Sequence, residues 1–365
     1  MPEVKLVNVT KRYGKIVAND DVTLTIKDGE YVSVIGPSGC GKSTLIKNIA
    51  GIITPDEGEI YIDGRCVNKL PIEDRGIGYV FQNIALFPHL SVWGNVTYGP
   101  RVRGLSLEEM RPLAIEMLEM IKVSERSDAY PNELSRGTQQ KTAVARALTS
   151  RAELLLLDEP LGALDIKVRA TLRSDLKRLV EDLKLTALHV THDQEEALSI
   201  SDRVIVMKRG RIVEEGSPID LYTHPKTLFT ANFVGEANFL VGEVVKTSEK
   251  TVLVELEEGS EICAEAKGQR MGDRVVIVFR PEFVNVEMNG INRLKGRVVD
   301  VLYSGSTVRI RIELGNGKIV VAKQMLHSEV ATIHVGDDIT LSIPPQRILV
   351  YPYPEGGLEK ELALE

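Results

Sequence analysis

The sequence predicts two architectures in succession: an α/β fold built on a parallel sheet, then an all-β domain. Two observations carry this. Over the first two-thirds, short apolar runs alternate with longer helical patterns. Beyond about residue 240, short strand-like stretches dominate, some alternating with period two.

Taken in order, Tyr31-Val32-Ser33-Val34-Ile35 reads as a strand. So do Leu154-Leu155-Leu156-Leu157, Ala187-Leu188-His189-Val190 and Val204-Ile205-Val206-Met207. Runs apolar at nearly every position are buried on both faces, which implies parallel strands between helices. Residues 107–121 have a helical pattern, and a helical subdomain is expected over about 88–150. In the last third, Val252-Leu253-Val254-Glu255-Leu256 and Val275-Val276-Ile277-Val278-Phe279 read as strands. Val308-Arg309-Ile310-Arg311-Ile312 alternates as a half-buried antiparallel strand should.

This last region repeats itself. Gly242-Glu243-Val244-Val245 parallels Gly296-Arg297-Val298-Val299, and Gly272-Asp273 parallels Gly336-Asp337. Val254-Glu255-Leu256-Glu257-Glu258-Gly259 parallels Ile312-Glu313-Leu314-Gly315-Asn316-Gly317. Arg280-Pro281-Glu282 parallels Pro344-Pro345-Gln346. Two related β units forming one small barrel-like domain are expected. The domains are set at 1–238 and 239–355, with a helical or frayed tail over 356–365.

The 365 residues are 43% hydrophobic, 27% charged and 5% aromatic, as in a soluble globular protein with ample core. The net charge of −7 argues against a chain held on nucleic acid by bulk positive charge, and no nucleic-acid partner is expected. No apolar run approaches the roughly 20 residues a bilayer helix needs, and residues 1–6 carry no basic-then-apolar signal pattern. Work at a membrane would require other chains to cross it. Cys40, Cys66 and Cys263 are odd in number and far apart, which suits a reducing cytosol better than a disulfide framework.

The chemistry begins at Gly36-Pro37-Ser38-Gly39-Cys40-Gly41-Lys42-Ser43-Thr44, which fits G-x-x-x-x-G-K-[ST] between a strand and a helix. Such a loop wraps a phosphate chain with its backbone N–H groups, and the following helix adds its positive end. Lys42 is expected at the β- and γ-phosphates and Ser43 on Mg²⁺. The leucine strand ends in Asp158-Glu159-Pro160, and open α/β sheets bind ligands beyond the carboxyl ends of their strands. Asp158 is placed to bind Mg²⁺, and Glu159 to polarise an attacking water. His192, in Thr191-His192-Asp193, is a candidate donor to the γ-phosphate. Gln82, after Tyr79-Val80-Phe81, offers an amide to metal or water.

Together these motifs resemble the ATP-binding cassette (ABC) ATPases, a branch of the P-loop NTPases. The resemblance runs over about residues 3–235 in the family's order. It takes in the phosphate loop, Gln82, the signature Leu134-Ser135-Arg136-Gly137-Thr138-Gln139-Gln140, the carboxylate pair, Gly162-Ala163-Leu164-Asp165 and His192. It implies a head-to-tail homodimer with ATP buried between one copy's phosphate loop and the other's signature. Ser135, Arg136, Gly137 and Thr138 would then face the γ-phosphate in trans, Asp165 would link the two sites, and Tyr13 would stack on adenine. The signature departs from Leu-Ser-Gly-Gly-Gln at Arg136 and Thr138, and Lys141 stands for an arginine. ATP hydrolysis is still expected, because the loop, Asp158, Glu159 and His192 are present.

The β-rich end resembles the TOBE-type, OB-like accessory domain of maltose-, polyamine- and ferric-ion-importer ATPases, through Phe233-Val234-Gly235-Glu236-Ala237-Asn238-Phe239 and Arg280-Pro281-Glu282. The implied function is an import ATPase on the cytoplasmic face of a membrane. It would attach to integral permease subunits, fed indirectly by an extracellular solute-binding protein. Dimer support and regulation are implied for the β domain. Sugars, polyamines, ferric ion and oxyanions all remain open as the solute.

Overall fold

The computed structural model describes residues 2–150, 152–162, 164–286, 290–326 and 330–364. Ala163, part of the expected motif around Asp165, lies outside them. The chain divides into two units between Asp220 and Leu221, earlier than the boundary expected at 238. The helix Leu228–Phe233 explains the difference. Its Leu228 and Ala231 are buried against Val276 and Val278. The Arg280 guanidinium donates to the carbonyls of Tyr222, Ala231 and Glu236, so the connecting segment belongs with the β-rich unit.

The first unit holds a six-stranded sheet ordered Arg211–Gly216, Arg203–Lys208, Tyr31–Ile35, Thr186–Val190, Leu154–Asp158, Ile77–Val80. The neighbours from Arg203–Lys208 to Ile77–Val80 are parallel. The leucine run shows why its strand is apolar throughout. Leu154 and Leu156 pack with Leu45, Ile46 and Ile49 on one face. Leu155 and Leu157 pack with Val92, Met117 and Leu176 on the other. A period of two across two buried faces leaves no position for a polar residue until the strand ends at Asp158.

A four-stranded antiparallel sheet, ordered Ile16–Ile26, Val4–Tyr13, Glu57–Ile62, Arg65–Cys66, adds Val4, Leu6, Val22 and Leu24 to the first of those cores. The helical subdomain consists chiefly of Val92–Val102, Leu107–Met120 and Arg136–Thr149. Leu107–Met120 begins with a capping box, in which the Ser106 hydroxyl accepts from Glu109 N and the Glu109 carboxylate accepts from Ser106 N.

The second unit contains two five-stranded sheets around one core. One is ordered Glu261–Glu265, Thr251–Leu256, Asn238–Thr247, Arg274–Phe279, Leu349–Pro352; the other is Ile319–Met325, Thr307–Leu314, Arg293–Ser304, Asp338–Ser342, Asn285–Val286. The sequence repeat is therefore a structural repeat. Gly242 pairs with Leu256 as Gly296 pairs with Leu314. Both glycines are required by close approach, since a Cβ would lie 2.5 Å from Glu255 O or from Ile312 Cγ2. The register shifts just after Val244 in one half and just after Val298 in the other.

The fifth strands are exchanged. Asn285–Val286 leaves the first half to pair with Asp338–Ser342, and Leu349–Pro352 returns from the second half to pair with Arg274–Phe279. Two asparagines bridge the halves elsewhere. Asn238 donates to Val321 O and accepts from Val321 N. Asn292 accepts from Cys263 N and donates to Cys263 O and Ile343 O. Each half thus supplies a side chain that completes the other's backbone hydrogen bonding.

Candidate functional site

The strand Tyr31–Ile35 runs into the loop 36–41, and the helix Lys42–Ala50 leaves it. Gly41 is the helix N-cap at φ 105°, and its absent Cβ would sit 2.0 Å from Ala18 O. At Gly36 a Cβ would lie 2.3 Å from Met207 O. These glycines let two neighbouring strands press on the loop and hold its curl. The Asn19 amide donates to Gly41 O at 3.1 Å, and Asn48 donates to Asn19 Oδ1 at 3.2 Å, both residues being fully buried. The Lys42 ammonium is held over the loop, donating to Gly36 O at 2.7 Å and Pro37 O at 2.9 Å. Burial pushes the Cys40 thiol upward, against the pull of the nearby Lys42 charge. At the far end of the helix, Arg75 donates to the carbonyls of Asn48 and Ile49, placing a cation where the helix dipole is negative.

The carboxylates converge on this loop. Asp158, 4% exposed, accepts from Ser43 Oγ at 3.3 Å and from the Tyr79 phenol at 3.0 Å. Both Ser43 and Asp158 present hard oxygen donors and one of them is anionic, which suits Mg²⁺ held by one carboxylate plus phosphate oxygens. Glu159 follows at φ 48°, with its N–H donating to Val190 O at 2.8 Å. That turn aims its carboxylate at two partners. The Gln82 amide nitrogen donates to Glu159 Oε2 at 2.8 Å, and His192 Nδ1 lies 3.2 Å from the same oxygen. Gln82, expected beside the metal, thus places its amide nitrogen on Glu159.

Other expected residues form their own groups. Ser135 caps the helix Arg136–Thr149, its hydroxyl accepting from Thr138 N and lying 2.9 Å from Thr138 Oγ1. Gly137 packs closely on Val168 Cγ1, where a Cβ would approach to 2.6 Å. Asp165 caps the helix Ile166–Asp182 by accepting from Val168 N. Arg169 of that helix donates to Leu164 O and to Asp193 Oδ2, tying the Asp165 turn to the residue after His192. Tyr13 is half exposed, with Lys11 Nζ 5.6 Å from its ring centroid.

Two features escaped the sequence reading. One is the Tyr79 contact with Asp158. The other is a buried polar chain beneath His192. The Tyr31 hydroxyl lies 3.1 Å from His189 Nδ1, and His189 Nε2 lies 3.3 Å from Glu196 Oε1. The Thr191 hydroxyl donates to Glu196 Oε2 at 2.5 Å and accepts from Asp193 N. The signal for the second was His189 and Thr191, polar residues in and just after a mostly apolar strand.

A phosphate loop whose serine meets a strand-end aspartate, beside a glutamate held by glutamine and histidine, defines a nucleotide hydrolase of the P-loop class. The family description "ABC transporter" matches residues 19–162, and "TOBE domain" matches 277–350. The spermidine/putrescine import ATP-binding protein PotA of Legionella pneumophila subsp. pneumophila (strain Philadelphia 1) is 38% identical over 333 residues, covering 90% of this chain and 92% of that protein. The same-named protein of Rubrobacter xylanophilus is 39% identical, covering 95% and 93%. Among solved structures, the dimeric bacterial ABC transporter cassette MJ0796 is 40% identical with a TM-score of 0.54, covering 59% of this chain and 98% of that one. Its post-hydrolysis dimer bound to ADP and Pi is 39% identical, with a TM-score of 0.53 and the same coverage.

The chain belongs to the ABC transporter family, as an importer ATPase subunit with a C-terminal TOBE domain. It hydrolyses ATP to energise import of a small solute through a membrane permease, working as a homodimer that closes and opens with nucleotide.

Proposed function

We propose that this subunit is a Mg²⁺-dependent ATPase at the cytoplasmic face of a polyamine importer, fed by an extracellular solute-binding protein. The observation that carries the chemistry is the convergence of Gln82 and His192 on one oxygen of Glu159, next to the Ser43–Asp158 pair. Lys42 exchanges the carbonyls of Gly36 and Pro37 for the β- and γ-phosphate oxygens. Ser43 and Asp158 would hold Mg²⁺, which when bound neutralises phosphate charge.

Glu159 accepts the proton of the attacking water, while His192 steadies the carboxylate and donates toward the γ-phosphate. Gln82 senses the same oxygen from the adjoining loop. Ser135 and Gly137 of the second copy close the pocket with a hydroxyl, a backbone N–H and the positive end of their helix. Arg136 adds a cation there, and Asp165 connects the two pockets. Tyr13 supports the adenine. Positioning and fixed charge supply most of the acceleration.

For the solute, the names of the relatives support a polyamine. The test is uptake by the reconstituted complex of this chain with its permease and binding protein. ATP-dependent accumulation of radiolabelled spermidine or putrescine, with phosphate release, is the expected result. Accumulation of maltose, ferric ion or sulfate instead would overturn the polyamine assignment. Absence of ATP-dependent phosphate release would overturn the catalytic assignment.

A further inference from the structure

Asp158 sits at the end of a strand buried at all its residues, and its two oxygens are taken by two hydroxyls from different elements. Ser43 of the phosphate-loop helix donates to Oδ1, and Tyr79 of the neighbouring parallel strand donates to Oδ2. The strand register sets Tyr79 beside Leu156, two residues before Asp158. Its ring leans on Phe81, with centroids 4.5 Å apart. A carboxylate turns readily about its last torsion, in broad two-fold wells. A donor fixed on one oxygen therefore decides where the other oxygen points.

We propose that Tyr79 is a positioning residue for the metal-bearing step, locking Asp158 Oδ2 so that Oδ1 and the Ser43 hydroxyl face one cation together. This rests on the reading that Ser43 and Asp158 hold Mg²⁺. A phenol suits the task better than a lysine or arginine. It donates a hydrogen bond but carries no charge to compete with the cation. A phenol is ordinarily protonated at neutral pH, so it is available as a donor. Tyrosine also has few torsions to freeze, and its ring is already packed.

The experiment uses the full-length chain and measures the Mg²⁺ dependence of fluorescent ATP-analogue binding, with Mn²⁺ binding followed by electron paramagnetic resonance. Tyr79→Phe is expected to raise the half-saturating metal concentration roughly 10-fold, the scale set by removing an outer partner of a metal ligand. Metal-free nucleotide binding should not change. Asp158→Asn tests the underlying reading, because it should abolish the metal dependence. If Asp158→Asn keeps the wild-type metal dependence, the Ser43–Asp158 reading falls. If Asp158→Asn loses it while Tyr79→Phe matches wild type or binds metal more tightly, the role of Tyr79 is overturned. Should Tyr79→Phe fail to fold, 3-fluorotyrosine at position 79 keeps the ring and alters the donor. A shifted metal midpoint supports the proposal, and an unshifted one rejects it.

Discussion

Glu159 Oε2 lies 3.2 Å from His192 Nδ1, and the Gln82 amide reaches the same oxygen at 2.8 Å. Three chain segments that are distant in sequence meet at one atom. The meeting depends on Glu159 adopting φ 48°, a left-handed conformation that costs a non-glycine residue roughly 1–3 kcal/mol. The N–H bond to Val190 O helps hold it there. Glu159→Gln keeps the shape and still offers an oxygen, but it removes the base. Turnover should fall roughly 10²- to 10⁴-fold, while ATP binding persists. The dimer should then survive with ATP in size-exclusion chromatography. Normal phosphate release by this variant would remove Glu159 from its proposed role.

The buried chain of Tyr31, His189, Glu196 and Thr191 is expected to make the first unit acid-sensitive. Burial raises the Glu196 carboxyl, but the neighbouring His189 ring and the Thr191 hydroxyl outweigh it, leaving the group below its ordinary 4.5. A folded value below the unfolded one means stability that is present above 4.5 and lost as pH falls through the folded value. Glu196→Gln should therefore destabilise the chain at neutral pH and flatten the acid limb below 4.5. Chemical denaturation across that range checks both. An acid limb identical to wild type would assign the sensitivity elsewhere.

In the β unit, Asn238 and Asn292 bridge the two halves. Each satisfies backbone groups at least partly shielded from water, at Val321 for one and at Cys263 and Ile343 for the other. Asn238→Leu and Asn292→Leu should each lower stability by about 1–3 kcal/mol. Hydrogen exchange resolves the effect by site. Asn292→Leu should speed exchange at the Cys263 amide, and Asn238→Leu at Val321. Unchanged protection at those amides would show that the clamps are dispensable.

How much of this was readable depends on the range of each constraint. The phosphate loop was legible because its chemistry is written in contiguous residues. The leucine strand was legible because two buried faces demand an unbroken apolar run. Repeat positions such as Gly242 and Gly296 were legible because the same close approach occurs twice. The N-terminal antiparallel sheet was not read, since register shifts between Leu6, Val9 and Lys11 break its alternation. The exchanged strand Asn285–Val286 is two residues long and pairs far along the chain, so no local pattern announces it. Tyr79 entered only as one of the residues preceding Gln82. Its contact with Asp158 arises from the pairing of two strands, which neither segment encodes alone.

The altered signature yields the last prediction. Arg136 is the first residue of the helix Arg136–Thr149, directly after the cap Ser135. A cation at a helix N-terminus opposes the positive end of the dipole, at a cost of roughly 0.3–1 kcal/mol. An arriving phosphate reverses that sign, because the same charge then attracts the ligand. Arg136→Ala should therefore weaken ATP-driven dimerisation. The deficit should shrink as salt rises, since an exposed charge is screened within about 10 Å at 0.1 M. Analytical ultracentrifugation of the Glu159→Gln background with ATP, with and without Arg136→Ala, at low and high salt, measures both trends. Equal dimerisation at low salt would show that Arg136 does not face the nucleotide of the second copy.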